Sequence, residues 1–458
     1  MVCTDLSDQG FGIGHHEGMT VFVSGLLPEE KARVHIVLVK KDYAIGKIVR
    51  LEQESADRVT PACDAAARCG GCSLMHLRYP AQLEWKAKGL RTLFGRVDPS
   101  IQVLDPIGMD EPYYYRNKAQ FPIAVKDGKI IAGFYRPKSN TIVPIEKCKI
   151  ENREINAIFG WLIEHLDLEQ ARELRHLFIR FSPETHQGQV VLIGRKNVRL
   201  KELAQKLHEA FPALVSIVFN QNTRDDNVIL GDDYTVLYGS DSMEEGCMSL
   251  KIRLHFKSFF QVNPQMTRVL YAKALEFANL KKTDRVIELY SGTGTIGLLA
   301  AREAKDVTGV EIVPEAVENA RANQQLNGIE NARFVCEDAS VFARQNGNSA
   351  DVVFVDPPRK GMSEQGIEDI VRLSPRTIVY ISCNPRTLAR DLKLFQKADT
   401  VLMLFSPSTC SATPPAWNAS PDSRKNQTPE RRSRTTGFIG RSVMSDLFDR
   451  RSAGKPLS

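Results

Sequence analysis

The hydrophobic pattern of the first 55 residues is that of short strands. Apolar, largely β-branched runs occur at 19–23 and 32–39, and glycines separate them from the start of the chain, as turn residues do between strands. The pattern predicts a small β-barrel. Because Lys40 and Lys41 add charge to a loop, the barrel suits single-stranded nucleic acid, although an accessory β domain that binds nothing gives the same pattern.

The pattern over residues 56–255 is mixed. Apolar residues at helical spacing predict helices over 154–166 and 200–211, whereas continuous apolar runs at 177–181 and 190–193 predict strands. We therefore expect a central α+β domain in this part of the chain.

Strands and helices alternate regularly from residue 256 to residue 400. Strand-like segments at 286–290, 307–311, 352–355 and 378–381 are separated by helix-length or longer segments. This alternation is typical of a parallel, doubly wound α/β sheet. The predicted fold class is thus α/β, with a Rossmann-like domain over 256–400.

The pattern is lost in residues 401–458. This segment is rich in Ser, Pro, Thr and Arg and shows no helix or strand period, so we expect an aberrant, disordered tail. Without a further strand from this segment, one edge of the predicted sheet would be exposed.

Composition narrows the class of protein only slightly. The chain is 42% hydrophobic and 25% charged with a net charge of +6, which permits an acidic partner such as RNA. No apolar run approaches the ~20 residues that span a bilayer, and no signal peptide opens the sequence. We expect a cytoplasmic, monomeric protein with no membrane partner. Residues 113–118, Tyr-Tyr-Tyr-Arg-Asn-Lys, suit either RNA contact or a protein core.

Four of the nine cysteines form a pattern. Cys63, Cys69 and Cys72 are spaced C-x5-C-x2-C with Gly-Gly between the last two, and Cys148 follows a strand-like segment. Such spacing lets several thiolates converge on a 4Fe–4S cluster or on zinc. Spacing alone does not decide between the two metals, and unrelated buried thiols are the remaining alternative.

The predicted parallel strands end in residues that can bind a ligand or react with one. One strand runs into a Gly-rich loop at 291–295, the next ends at Glu311, another precedes Asp356, and the last precedes Cys383. Ligands of open α/β sheets bind at the carboxyl ends of strands, where an acid after the Gly-rich loop accepts hydrogen bonds from ribose. A cofactor site with a nucleophile beside it is predicted. No Gly-x-x-x-x-Gly-Lys motif for a nucleoside triphosphate is present.

Three motifs resemble those of the RNA uracil-5-methyltransferase family. They are Asp356-Pro357-Pro358-Arg359-x-Gly361, Tyr380-Ile381-Ser382-Cys383-Asn384-Pro385-x-Thr387 and Phe259-Phe260-Gln261-Val262-Asn263. The N-terminal β domain resembles the family's OB-like TRAM domain, which binds RNA. The four grouped cysteines resemble the 4Fe–4S ligands of its ribosomal-RNA branch, whereas the tRNA-specific bacterial branch usually lacks both features. The resemblance covers residues 5 to about 399.

The resemblance implies methylation of uracil C5 in 23S rRNA with S-adenosylmethionine as the methyl donor. It makes Cys383 the nucleophile that adds to C6, a covalent route that divides one difficult step into easier ones. It also assigns five residues to the S-adenosylmethionine site, namely Gln261, Tyr290, Glu311, Asp338 and Asp356. The same chemistry on tRNA and a non-catalytic RNA-binding remnant are the alternatives.

One part of the family pattern is missing. The family ends with Asp-x-Phe-Pro and then His-x-Glu, whose Glu removes the C5 proton. No His follows residue 400 here, and the only Glu in that region is Glu430. Either the C-terminus has been replaced, for example by a frameshift, or the tail has diverged and another residue acts as the base. Replacement predicts impaired turnover.

Overall fold

The computed structural model describes residues 1–347, 349–397, 400–407, 416–421 and 434–440, the last three segments as backbone strands. No helix in these ranges is long and apolar enough to cross a membrane. Within these ranges the chain forms three sheets of five or more strands and one separate β-hairpin.

The N-terminal sheet has five strands, in the order β1-β2-β3-β5-β4. A backbone bridge between Val2 and Lys31 joins the two ends of this sheet, as in the predicted barrel. Gly12 is required here, because a Cβ at that position would lie 2.5 Å from the carbonyl oxygen of Leu26. The strands are β1 Asp5–Leu6, β2 Phe11–His16, β3 Met19–Ser24, β4 Lys31–Val39 and β5 Tyr43–Gln53.

The central sheet has seven strands, in the order β13-β12-β11-β10-β7-β8-β9, and the β14–β15 hairpin follows it in the chain. Helices α2 and α4 pack on it through a core that includes Ile155, Phe159 and Leu203. Both predicted helices are confirmed to within one residue. The elements are β7 Lys118–Lys126, β8 Lys129–Tyr135, β9 Ile142–Pro144, α2 Arg153–His165, α3 Leu168–Glu173, β10 Leu174–Phe181, β11 Gly188–Gly194, α4 Leu200–Ala210, β12 Leu214–Gln221, β13 Tyr234–Gly239, β14 Ser242–Cys247 and β15 Leu250–His255.

The third sheet contains the predicted doubly wound core. Strands β18-β17-β16-β19-β20 are adjacent and parallel, and separate apolar cores cover the two faces, as parallel sheets require. The elements are α5 Pro264–Ala278, β16 Arg285–Leu289, α6 Thr295–Ala301, β17 Asp306–Glu311, α7 Pro314–Leu326, β18 Ala332–Cys336, α8 Ala339–Gln345, β19 Val352–Val355, α9 Glu364–Arg372, β20 Thr377–Ser382 and α10 Pro385–Lys397.

Part of the region assigned to the central domain packs on the third sheet instead. Helix α1, Tyr79–Gly95, contributes Leu90 and Phe94 to the same core as Leu388 and Leu392 of α10. An apolar helix face must be buried, but its spacing does not state which partner will bury it. The domain boundaries otherwise stay a prediction.

The predicted irregular tail differs from the structure in three segments. They are β21 Thr400–Pro407, β22 Ala416–Pro421 and β23 Arg434–Gly440, and β6 Ile101–Val103 pairs with β22. Strand β23 lies parallel between β20 and β21, so the expected exposed edge of β20 is wrong. The expectation rested on the lack of a strand period in the side chains of the tail. The pairing with β20 is made by main-chain hydrogen bonds, which do not require such a period. Residues 408–415, 422–433 and 441–458, with Cys410 and Glu430, lie outside the described residues.

Candidate functional site at the carboxyl edge of the parallel sheet

Five of the predicted site residues share one edge of the parallel sheet. Asp338 follows β18, Glu311 ends β17, Tyr290 follows β16, Asp356 follows β19 and Cys383 follows β20. Since these strands are adjacent and parallel in that order, the residues lie along the edge in the same order. The strand-end argument from sequence therefore places the acids and the thiol on one side of the sheet.

The loop after β16 is shaped by left-handed backbone. Tyr290 has φ 63°, and Gly292 and Gly294 have φ 54° and 77°. A Cβ on Gly294 would also lie 2.5 Å from the Phe334 ring. A non-glycine residue at positive φ is uncommon and is held there by its surroundings. This loop brings its backbone amides to the sheet edge.

Glu311 joins that loop to the next strand. Its carboxylate accepts hydrogen bonds from the Gly292 amide at 3.0 Å and from the Ile312 and Val313 amides at 2.9 and 3.0 Å. Beneath the loop, buried Glu288 accepts a hydrogen bond from the Gly297 amide at 2.9 Å. The two acids fix the Gly-rich turn from both sides.

The edge is strongly acidic. Burial raises the pKa of Glu288 to about 8, and the nearby Asp356 and Glu311 carboxylates add to that rise. Burial and the charges of Asp338 and Glu311 raise the pKa of Tyr290 to about 12. Carboxylates that repel one another electrostatically favour a ligand with positive charge, and they can accept hydrogen bonds from its hydroxyl groups.

The thiol of Cys383 stands in a loop with many internal hydrogen bonds. The Ser382 hydroxyl accepts from the Asn384 amide at 3.1 Å, while the Asn384 side-chain amide and the Thr387 hydroxyl donate to the Arg359 carbonyl at 3.3 and 3.2 Å. Cys383 is half-buried. The Asp-Pro-Pro-Arg segment and the Ser-Cys-Asn-Pro segment therefore form one unit.

A buried carboxylate, Asp391, braces this unit from below. It is fully buried, and it accepts hydrogen bonds from the Met362 amide at 2.9 Å and from the Tyr380 hydroxyl at 2.6 Å. Gly361 has φ 71°, and a Cβ there would lie 2.6 Å from both Asp391 Oδ2 and Arg390 Nη2. Sequence reasoning missed Asp391. Its place on the buried face of the helix after Cys383 was the available signal.

Gln261 lies apart from the strand ends, on the segment between β15 and α5. Its side chain is 8% exposed, and the neighbouring Val262 carbonyl accepts from the Asn117 amide at 2.9 Å. Asn263 then caps α5 by accepting from the Met266 amide at 3.0 Å. The segment is thus anchored directly after Gln261.

The four grouped cysteines line one cleft together with the Cys383 loop. The cleft has a volume of about 1990 Å³. Burial raises the pKa of the Cys69 thiol, and the charge on Cys63 adds to the rise. Burial also raises the pKa of Cys148, and Cys72 adds to that rise. Cys63 therefore lies near Cys69, and Cys72 lies near Cys148. Among the residues that the structure describes, no group of three or more His, Cys, Asp or Glu has a geometry that could hold a metal ion.

The donor set nevertheless fits a metal cluster chemically. All four cysteines are thiols outside any disulfide. The Gly71 amide donates to Cys69 Sγ at 3.4 Å, and the Asn156 side chain accepts from the Cys148 amide at 2.6 Å. Backbone donors to sulfur and a fixed Cys148 backbone are features of thiolate cluster sites.

Of the two alternatives for residues 113–118, RNA contact or protein core, the structure supports the core for two residues. Tyr115 is buried in a core with Cys148, and Asn117 donates to Glu245 at 3.0 Å in the interior. Tyr114 stacks on the Arg153 guanidinium at 3.9 Å. The sequence pattern did not distinguish interior polar pairs from surface pairs.

The N-terminal sheet reaches the Cys383 loop. Asp8 forms an ion pair with Arg386 at 2.6 Å, and Asp5 forms one with Lys88 of α1 at 2.9 Å. Residues 5–9 also line the same cleft. The sequence did not predict that the N-terminal domain would meet the Cys383 loop.

Comparison with known proteins agrees with this geometry. The profile of the tRNA (uracil-5-)-methyltransferase family matches residues 78–406. The chain belongs to this family. A TRAM domain profile matches residues 3–49, so the N-terminal sheet is the TRAM domain. The chain is therefore an RNA uracil-5-methyltransferase that uses S-adenosylmethionine.

Relatives of this methyltransferase cover most of its length. It is 40% identical to an uncharacterized RNA methyltransferase from Halalkalibacterium halodurans over 86% of this chain and 89% of that protein. It is 38% identical to one from Clostridium tetani, over 88% and 91%. A solved tRNA (uracil-54, C5)-methyltransferase from Pyrococcus abyssi, in complex with S-adenosyl-L-homocysteine, is 25% identical with a TM-score of 0.70, over 92% and 99%.

Proposed function

We propose that this methyltransferase modifies uracil C5 in 23S rRNA through a covalent adduct between Cys383 and uracil C6. The observation that carries the proposal is the position of Cys383. Its half-buried thiol follows β20 at the acidic sheet edge and lines the large cleft. A thiol that only packed in the core would not face a cleft of this size.

The proposed role of Cys383 is nucleophilic. Its thiolate adds to C6 of the target uracil, a sulfur–carbon bond forms, and C5 becomes enolate-like. C5 then takes the methyl group, which S-adenosylmethionine supplies. A base removes the C5 proton, the C5–H electrons re-form the C5–C6 double bond, and the thiolate leaves. The target base must leave any stack to reach the thiol.

The proposed S-adenosylmethionine site consists of Gln261, Tyr290, Glu311, Asp338 and Asp356. Glu311 ends the strand after the Gly-rich loop, which is the place for an acid that binds ribose hydroxyls. The acids that raise the pKa of Glu288 and Tyr290 favour a positively charged ligand such as a sulfonium. Asp338 caps α8 by accepting from the Ser340 and Val341 amides, which fixes its carboxylate at the edge.

Two observations bear on the RNA substrate. The four cysteines that line the cleft favour 23S rRNA, since they resemble the cluster ligands of the ribosomal-RNA branch. The likeness to a solved tRNA methyltransferase favours tRNA as the second candidate. A non-catalytic RNA-binding remnant is disfavoured by the intact hydrogen bonding of the Cys383 loop.

The substrate assay measures tritium release from RNA that carries 5-tritiated uracil. We expect slow release from a 23S rRNA transcript, because the family's His-x-Glu does not occur after residue 400, and none from tRNA transcripts. The reverse preference would assign the enzyme to tRNA. Failure to release tritium from either RNA, with the RNA still bound, would support the remnant, and adduct formation with 5-fluorouracil RNA would then separate slow release from a lack of chemistry.

We further propose that Cys63, Cys69, Cys72 and Cys148 hold one 4Fe–4S cluster. Anaerobically purified protein should be brown and contain about four irons per chain. Replacing Cys72 with Ser should lower the iron content and destabilise the central domain before the methyltransferase domain, because the ligands join distant parts of the sequence. The matched control is Cys336→Ser, an exposed cysteine, which should keep its iron. Stoichiometric zinc without iron would contradict the assignment.

A further inference from the structure

Arg180 of β10 is a buried cation in the interior of the protein. Its side chain is 1% exposed, and it is among the largest fully buried side chains in the described part of the chain. Burial lowers its pKa to about 10, and Glu245 acts in the opposite direction. A buried guanidinium is costly unless its hydrogen bonds are satisfied. The contacts of Arg180 therefore indicate what this buried charge supports.

Those contacts lead to the segment that carries Gln261. Arg180 Nη2 donates to the Ser258 carbonyl at 2.9 Å, and Nη1 lies 3.5 Å from the His255 carbonyl. The guanidinium also lies over the Phe178 ring, 5.2 Å from its centroid. A planar donor stacked on one ring and bound to two carbonyls fixes the backbone direction of residues 255–258.

The same segment is held again four residues after Ser258. The Asn117 amide donates to the Val262 carbonyl at 2.9 Å, and the Asn117 side chain donates to Glu245 at 3.0 Å. The Ser182 hydroxyl donates to the other oxygen of Glu245 at 2.6 Å. Glu245 is fully buried, so this network belongs to the central domain and holds Gln261 between two anchors.

The methyltransferase domain holds Ser258 from the other side. Asn319 of α7 donates from its side chain to the Ser258 hydroxyl at 3.0 Å. Helix α7 follows the strand that ends at Glu311. Ser258 is therefore bound through its carbonyl by the central domain and through its hydroxyl by a helix next to the proposed cofactor edge.

We propose that Arg180 is a positioning residue for the cofactor site and acts through the 255–262 segment on Gln261. The inference rests on the proposed role of Gln261 in binding S-adenosylmethionine. Phe259 in this segment is 66% exposed, so the segment cannot rely on burial of that side chain for its position. Phe256 and Phe260 of the segment are buried, and the hydrogen bonds from Arg180, Asn117 and Asn319 fix the backbone at Ser258 and Val262 in addition.

The test is the affinity for S-adenosylhomocysteine, measured by calorimetry on the full chain. Arg180→Met should weaken binding by roughly ten- to a hundredfold, since a small misplacement of a binding group has effects of that order. Arg180→Lys keeps the positive charge but loses the planar guanidinium with its paired donors. Its affinity for S-adenosylhomocysteine should lie between those of the parent and Arg180→Met. In turnover assays KM for S-adenosylmethionine should rise more than kcat falls, which general destabilisation would not produce.

Phe159→Leu provides the control for stability. Phe159 lies in the separate core between the central sheet and its helices, so this variant should lower Tm while S-adenosylhomocysteine binding stays as in the parent. An equal loss of affinity in Phe159→Leu at equal loss of Tm would overturn the proposal. If Arg180→Met does not fold, Asn319→Ala removes the other anchor of Ser258, and parental affinity in both Asn319→Ala and Arg180→Lys would also overturn it.

Gln261→Ala separates this inference from the cofactor assignment. If Gln261→Ala loses affinity while Arg180→Met binds like the parent, the role of Arg180 is wrong and the cofactor site stands. If Gln261→Ala binds S-adenosylhomocysteine like the parent, the assignment of Gln261 is wrong, and the proposed action of Arg180 through it is wrong as well.

Discussion

Cys383→Ala should abolish the covalent complex with RNA that contains 5-fluorouracil and should reduce methyl transfer to background. The loss of a catalytic nucleophile is expected to cost on the order of 10⁴–10⁶-fold in turnover. The fluorine at C5 cannot be removed as a proton, so the parent enzyme stops at the adduct. Gel electrophoresis under denaturing conditions with labelled RNA measures the amount of this covalent complex directly.

Binding of S-adenosylhomocysteine should be nearly unchanged in this variant. Cys383 follows β20, whereas four of the proposed cofactor residues lie at the ends of other strands of the sheet and Gln261 lies before α5. Ser382, Asn384 and Thr387 form hydrogen bonds that hold the loop around Cys383. Cys336→Ala, which changes an exposed cysteine at the end of β18, is the matched control and should still form the adduct. A covalent complex that persists in Cys383→Ala would remove Cys383 from the role of nucleophile.

The second large effect concerns release of the product. We expect the chain to add to uracil and transfer the methyl group, and then to accumulate methylated RNA on Cys383 with little free product. A positioned general base typically contributes ~10²–10⁴-fold to proton removal, and the family's His-x-Glu does not occur after residue 400. Single-turnover experiments that separate the covalent adduct from free methylated RNA measure the ratio of these two species.

The control for this prediction is Glu430→Gln. Glu430 is the only Glu after residue 400, and if it is not the base, its replacement should leave the rate of adduct decay as it was. A marked slowing in Glu430→Gln would identify Glu430 as the base. Rapid multiple turnover by the parent chain would contradict the prediction and would show that another residue removes the proton.

Local information in the sequence was sufficient for the elements of the parallel sheet. The segments predicted as strands at 307–311 and 352–355 are β17 and β19, Asp306–Glu311 and Val352–Val355. The run at 352–355 is continuously apolar, as expected for a strand buried on both faces. The common location of the residues that follow these strands could also be predicted, since parallel strands place their carboxyl ends on one edge. Glu311 and Cys383 could therefore be placed at one edge of the sheet before any contact was known.

The arrangement between distant segments was decided only by tertiary structure. The sequence shows that α1 has an apolar face but not that Leu90 packs with Leu388. It shows an arginine at 180 but not that the side chain is buried against the backbone of residues 255–258. It also gave no sign that a strand from the tail would pair with β20. Periodicity reports which face of an element is apolar, whereas the choice of partner depends on shape and hydrogen-bond geometry that exist only once the chain has folded.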